Sequence, residues 1–79
     1  MKDLRFTHTI TVTEDDFITM EVYLNEYLEK SNDFEKSLNE AFADMRDDFL
    51  FAEDYVRHAI WEYHREDILE EFKKWQKNS

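Results

Sequence analysis

The sequence predicts an α+β protein, predominantly helical, with one N-terminal β-strand followed by three or four helices. Three observations carry that expectation. Residues 4–12 alternate apolar and polar side chains with period two, the pattern of a half-buried strand. From residue 14 onward, apolar residues recur at steps of three and four, as on one face of a helix. Glycine and proline are both absent, so helices run without their usual breakers, and turns needing positive φ must fall to Asn or Asp.

The strand spans about 4–12. Leu4, Phe6, His8, Ile10 and Val12 face one side; Arg5, Thr7, Thr9 and Thr11 face the other. Thr13 suits an N-cap, with Glu14, Asp15 and Asp16 in the first turn of a helix over about 14–30. Phe17, Met20, Leu24, Tyr27 and Leu28 form its apolar face. Asn32 followed by Glu35 resembles a capping box, opening a second helix over about 33–46 with Phe34, Leu38, Ala41 and Met45 on its stripe. Asp47 and Asp48 then open a third helix, about 48–64, on the stripe Phe49, Ala52, Val56, Ala59, Ile60 and Tyr63. A continuous helix over 33–64 is the alternative. Ile68, Leu69, Phe72 and Trp75 start a new register and give a fourth helix, about 66–76.

The charges agree with these breaks. Acids gather at each expected helix start and bases (Lys30, Arg46, Arg65, Lys73) at each expected end. The helix macrodipole favours that order by about 0.3–1 kcal/mol per charge at an exposed end.

One strand leaves backbone groups unpaired and does not stand alone in water. It therefore pairs with its copy in a homodimer or with a partner's sheet edge. The alternative is a short mate near Leu50-Phe51.

Seventy-nine residues form a single domain, 1–79, with a modest core. Cysteine is absent, which excludes disulfides and thiolate zinc sites and favours a reducing, cytoplasmic setting. There is no signal-peptide pattern and no run of apolar residues long enough to span a membrane. The absence of glycine removes every Gly-rich phosphate loop.

The net charge is −10, which disfavours direct nucleic-acid binding and an acidic membrane surface as partner. The excess is confined. Residues 14–54 hold fourteen acids against Lys30, Lys36 and Arg46, whereas residues 55–79 hold five of each sign.

Catalysis and metal binding have little to work with. Serine occurs at 31, 37 and 79, at cap, helix and terminal positions with no base singled out nearby. No two histidines have the i, i+4 spacing of a helical zinc pair. His8 reads as a core histidine. A calcium loop would need a central glycine. The expectation is a binding protein and not an enzyme, with no cofactor and no metal.

The acidic band is the candidate site. Asp33, Glu40, Asp44 and Asp47 fall on one side of the second helix, away from its apolar stripe. Asp15, Glu26 and Glu29 share the face of the first helix opposite Phe17 and Leu24. Like charges at i, i+4 destabilise a helix by about 0.2–0.5 kcal/mol per pair, and few lysines relieve them here. An ordinary solvated face would mix both signs. Such a band fits a protein with a basic, nucleic-acid-binding surface. Ile18 and Val22 interrupt the acids of the first helix, and Trp61, Ile68, Phe72 and Trp75 lie off the third helix's stripe. They read either as a further core layer or as an interface.

Acids set among aromatics, as in Tyr23-Leu24-Asn25-Glu26-Tyr27-Leu28-Glu29 and Asp44-Met45-Arg46-Asp47-Asp48-Phe49, resemble phage-encoded anti-restriction and anti-CRISPR proteins that mimic DNA. The resemblance covers residues 14–54. It implies an inhibitor that occupies the DNA-binding groove of a host defence nuclease through the acids named above. Locally, Thr7-His8-Thr9-Ile10-Thr11-Val12-Thr13-Glu14 is similar to the strand and helix start of ribbon-helix-helix repressors and antitoxins. That likeness implies a dimer paired through the strand, with Arg5, Thr7, Thr9 and Thr11 outward. The sequence departs from that pattern in its longer first helix and its lack of the inter-helix glycine. A structural assembly protein using the off-stripe aromatics is the third expectation.

Overall fold

A computed structural model describes residues 3–6 and 11–78. The order is β1 (Leu4–Arg5), β2 (Thr11–Val12), α1 (Glu14–Leu28), α2 (Phe34–Phe51), α3 (Tyr55–Tyr63) and α4 (Arg65–Lys77). The predominantly helical α+β class holds.

The alternating segment is two short strands, not one. Leu4 pairs with Val12 and Arg5 with Thr11, antiparallel, so the segment folds back and supplies its own mate. Alternation sets which side chains share a face, and a hairpin keeps that alternation on both arms. The reason for a partner strand falls away. Leu50 and Phe51 lie in α2, exposed, and pair with nothing in the sheet. Thr7, His8, Thr9 and Ile10 lie outside the described residues.

Helix starts follow side-chain capping. Thr13 has an extended backbone and forms a reciprocal capping box with Asp16, whose carboxylate accepts the Thr13 N–H at 3.0 Å. The cap of α2 is Asp33, whose carboxylate accepts the Lys36 N–H at 3.0 Å. Asn32, expected as that cap, lies one residue outside it.

The expected break at Asp47-Asp48 does not occur. Both residues sit inside α2, which runs on to Phe51. Their carboxylates are satisfied sideways: Asp47 accepts from Arg46 and Asp48 from Tyr23. The break is at 52–54. Asp54 caps α3 by accepting the Arg57 N–H at 3.1 Å, and Glu53 has φ 60°. Positive φ thus falls to a glutamate, neither Asn nor Asp, in a chain without glycine. An L-residue in that region costs roughly 1–2 kcal/mol. Glu53→Gly is expected to stabilise the fold by about 0.5–1 kcal/mol, since glycine adopts this conformation freely but loses more chain entropy. A higher urea midpoint checks this; a lower one would show that Glu53 is not held left-handed.

The core draws on every element. Val12 from β2, Phe17, Met20 and Leu24 from α1, and Leu38, Ala41, Phe42 and Met45 from α2 are buried, with Ile68 and Phe72 from α4. Phe34, on the expected α2 stripe, stays partly exposed at the helix start and outside the core. Phe17 and Phe72 meet edge to face at 5.5 Å.

The expected α3 stripe is only partly inward: Phe49 packs on the core and Ile60 is half-buried, but the rest is exposed. Val56, Ala59 and Tyr63 face solvent, and Trp61 is the buried residue. The expected stripe ran on from Phe49, but the turn at 52–54 resets the phase. Both faces of α3 carry apolar residues, and burying the indole removes the most apolar area from water. Trp61, Ile68 and Phe72 are therefore core. Trp75 is half-buried, and its indole N–H donates to Glu14 at 3.1 Å.

Among the described residues, no helix is long and apolar enough to cross a membrane.

Candidate functional site

The first two helices lie antiparallel, a register fixed by two matching hydrogen bonds. The Tyr27 hydroxyl donates to Asp44, and the Tyr23 hydroxyl donates to Asp48. Four residues back along α1 correspond to four forward along α2, one turn on each. Apolar burial of Phe17, Met20 and Leu24 against Leu38, Ala41 and Met45 closes the inner side of this pair. The two tyrosines close its outer side.

This edge gathers carboxylates. The charges acting on the Tyr23 hydroxyl come from Asp48, Asp44 and Glu26; those on Tyr27 come from Asp44, Glu40 and Glu26. Glu26, Glu40 and Asp44, all expected in the band, thus meet here, joined by Asp48. Among the described residues, none of these four carboxylates has a Lys, Arg or His nitrogen within ion-pair distance.

The other expected residues are placed differently. Asp15 on α1 and Glu29, the C-cap just beyond it, are exposed; Asp15 is eleven residues from Glu26, about 16 Å along the axis. Asp33 is occupied as the α2 cap. Asp47 belongs to a mixed cluster: Arg46 reaches Asp47 at 3.1 Å and Glu62 at 2.6 Å, and His58 Nε2 lies 3.7 Å from Asp47. The Arg46 hydrogen bond lowers the Glu62 pKa and raises that of Arg46 itself.

Spacing alone missed three kinds of residue. Asp48 was read as a helix start. Tyr27 falls on the expected apolar stripe and Tyr23 only among the aromatics set between acids, and their positions one turn apart are the signal for a paired role. Phe51, 84% exposed, follows Asp44 and Asp48 at i+7 and i+3, so the acidic row ends in a bare aromatic. Ile18 and Val22 remain about half exposed on α1.

A phenol fixes a carboxylate without neutralising it. Each Tyr–Asp bond holds an oxygen in place while the full negative charge remains available to a partner, which a lysine bridge would not allow. The reciprocal effect is on the tyrosines: hydrogen bonding to Asp48 and Asp44, then burial and nearby negative charge, pushes Tyr23 and Tyr27 up to about 12. With the folded value above the unfolded one of about 10, their stabilisation is complete below pH 10. It is lost as pH rises through 12. The native urea midpoint should therefore fall over that window more than that of Tyr23→Phe/Tyr27→Phe. Equal losses would mean that the two bonds do not form in solution.

Among the described residues, no three His, Asp or Glu side chains converge so as to hold a metal ion. The chain matches no protein-family model, no curated protein and no solved structure. The geometry therefore bears the functional reading alone.

Proposed function

We propose that this chain is an acidic protein-binding inhibitor, a DNA mimic that occupies the basic, nucleic-acid-binding surface of a defence enzyme of the anti-CRISPR or anti-restriction target class. It acts in the cytoplasm, without a cofactor and without catalysis of its own. The observation that carries this reading is the α1–α2 edge: Glu26, Glu40, Asp44 and Asp48 stand together without cations, and two of them are held by tyrosine hydroxyls. A surface that merely needed solvation would gain from interleaved lysines, which the exposed end of α4 has in Lys74 beside Glu70 and Glu71. Here the repulsion is retained, and the carboxylates are pre-positioned, which lowers the ordering cost of binding. Phe51, Ile18 and Val22 add apolar contact beside the charges, as interface anchors do.

A ribbon-helix-helix regulator is supported less well. The pairing of Leu4 with Val12 uses both ends of the strand segment within one chain.

The test is affinity capture from a nuclease-treated bacterial lysate with the native chain and with Glu40→Lys/Asp44→Lys/Asp48→Lys. The native chain should recover a DNA- or RNA-binding protein that duplex DNA displaces, and the variant should not. Recovery of the same protein by both baits, or no displacement by DNA, overturns the reading.

A further inference from the structure

The acidic edge leaves one large feature of the surface without a role. Helix α3 exposes Tyr55 (61%), Val56 (62%) and Tyr63 (84%), with exposed Ala59 between them. At 100° per residue these four share one arc, opposite the buried Trp61. We propose that this face is the interface of a homodimer, in which α3 packs antiparallel against α3 of a second copy about a two-fold axis at Ala59.

The spacing is self-complementary. Tyr55 and Tyr63 lie four residues to either side of Ala59. A two-fold contact requires one surface to present both halves of each pair. In the antiparallel arrangement Tyr55 of one copy meets Tyr63 of the other, and the same contact repeats across the axis. The small side chain at the crossing point lets the helices approach to roughly 8 Å between axes.

The charges select a second copy over a foreign partner. Helix α3 holds Arg57 and Glu62 and is neutral overall. Both are already engaged, Arg57 with Asp54 and Glu62 with Arg46. The arc itself carries no charged side chain, although Glu62, Glu66 and Asp67 border Tyr63; a chain of net charge −10 approaches its copy best across such an arc, and a basic partner would be drawn to the other edge. That edge points away. Helix α1 meets α2 at Asp44 and Asp48, whereas α3 meets α2 at Arg46. Arg46 lies two residues from each, close to the opposite side of the α2 axis. Joined through α3, two copies hold their acidic edges apart by more than the Debye length of about 8 Å at physiological salt.

The area sets the strength. Three half-bare or nearly bare side chains and Ala59 offer roughly 400–500 Å², at the level of the largest apolar patch on a typical monomer. Two copies would bury roughly 800–1,000 Å², below the standard interface, so the dimer is weak and concentration-dependent.

The test is sedimentation velocity of the full chain from micromolar to near-millimolar concentration, at low and high salt. Dimer should grow with concentration and, because salt screens the repulsion between two acidic chains, should be stronger at high salt. Val56→Glu/Tyr63→Glu changes only exposed positions. It should keep the native helical circular dichroism and weaken dimerisation by about tenfold or more. Ala59→Cys supplies the sole thiol in a chain with no other cysteine. Helices in close contact bring its Cα atoms to roughly 4–5 Å across the axis, within disulfide range. Oxidation should therefore link most chains as dimers, and Val22→Cys on α1 should link far fewer. A native chain that stays monomeric at near-millimolar concentration and high salt overturns the proposal. So does a dimer that survives the double glutamate variant, or equal crosslinking at positions 59 and 22.

Discussion

Trp61→Ala should cost about 3–5 kcal/mol, the range for truncating a buried large aromatic, and bring the domain close to unfolding. Trp61 is fully buried and is the residue of α3 that enters the core. Its ring packs on Phe42 at 5.5 Å and on Phe49 at 5.1 Å, so its loss opens a cavity bounded by two helices. A domain of this size has a total stability of roughly 4–12 kcal/mol. The urea midpoint should fall accordingly, and α3 should lose amide protection first, because few other α3 side chains hold it down. Trp61→Phe is the control. The indole N–H is buried without a hydrogen-bond partner, so removing it leaves nothing unpaired and relieves a desolvation cost of about 1–3 kcal/mol. The smaller ring forfeits some packing, and the two changes should nearly cancel. A Trp61→Ala variant within about 1 kcal/mol of the native chain would mean that α3 is not docked through this residue.

Trp61 also marks where the sequence stops being legible. Periodicity finds helices because burial recurs every three to four residues, and it located α1 and α4 to within two residues of their ends. It cannot choose a face when both are apolar. On α3 the stripe Val56–Ala59–Ile60–Tyr63 satisfies the helical period but the opposite side carries Trp61, and only packing against Phe42 and Phe49 decides between them. The same limit applies to acids as punctuation. Asp33 and Asp54 cap helices and Asp16 completes the capping box of Thr13, but Asp47 and Asp48 lie inside α2, where Asp47 accepts from the adjoining Arg46 and Asp48 from Tyr23 of α1. A carboxylate that caps and one that accepts from a neighbouring helix look alike in one dimension. The hairpin escaped for a related reason. Alternation over residues 4–12 describes one strand or two equally well unless a glycine or asparagine marks the turn.

The candidate site was legible in its charge and not in its members. The excess of acids over residues 14–54 pointed to the α1–α2 pair, and Glu26, Glu40 and Asp44 do meet there. Asp33 and Asp47 share the helical phase of Glu40 and Asp44 but are claimed by a backbone N–H and by Arg46. Phase on one helix says which side a residue occupies, not what the neighbouring helix brings to it. Tyr23 and Tyr27 are that contribution, and they divide the acids into those held at the edge and those used in the fold.

If that edge is a docking surface, its field and its geometry should separate in kinetics. A field acts before contact: electrostatic steering raises association rates by about 10–10³-fold and is lost as salt shortens the Debye length from about 30 Å at 0.01 M to 3 Å at 1 M. The association rate of the native chain with its captured partner should fall at least tenfold over that range. Glu40→Lys/Asp44→Lys/Asp48→Lys should be slow at low salt and lose or invert the salt dependence, because each substitution turns an attraction into a repulsion. Tyr23→Phe/Tyr27→Phe keeps every charge but releases the two carboxylates from their fixed positions. It should leave the association rate and its salt slope unchanged and raise the dissociation rate, since pre-organisation acts on the docked complex. Duplex DNA should compete with the native chain for the same surface. A salt-independent association rate, or binding that DNA does not displace, would return the acidic edge to the status of solvated surface.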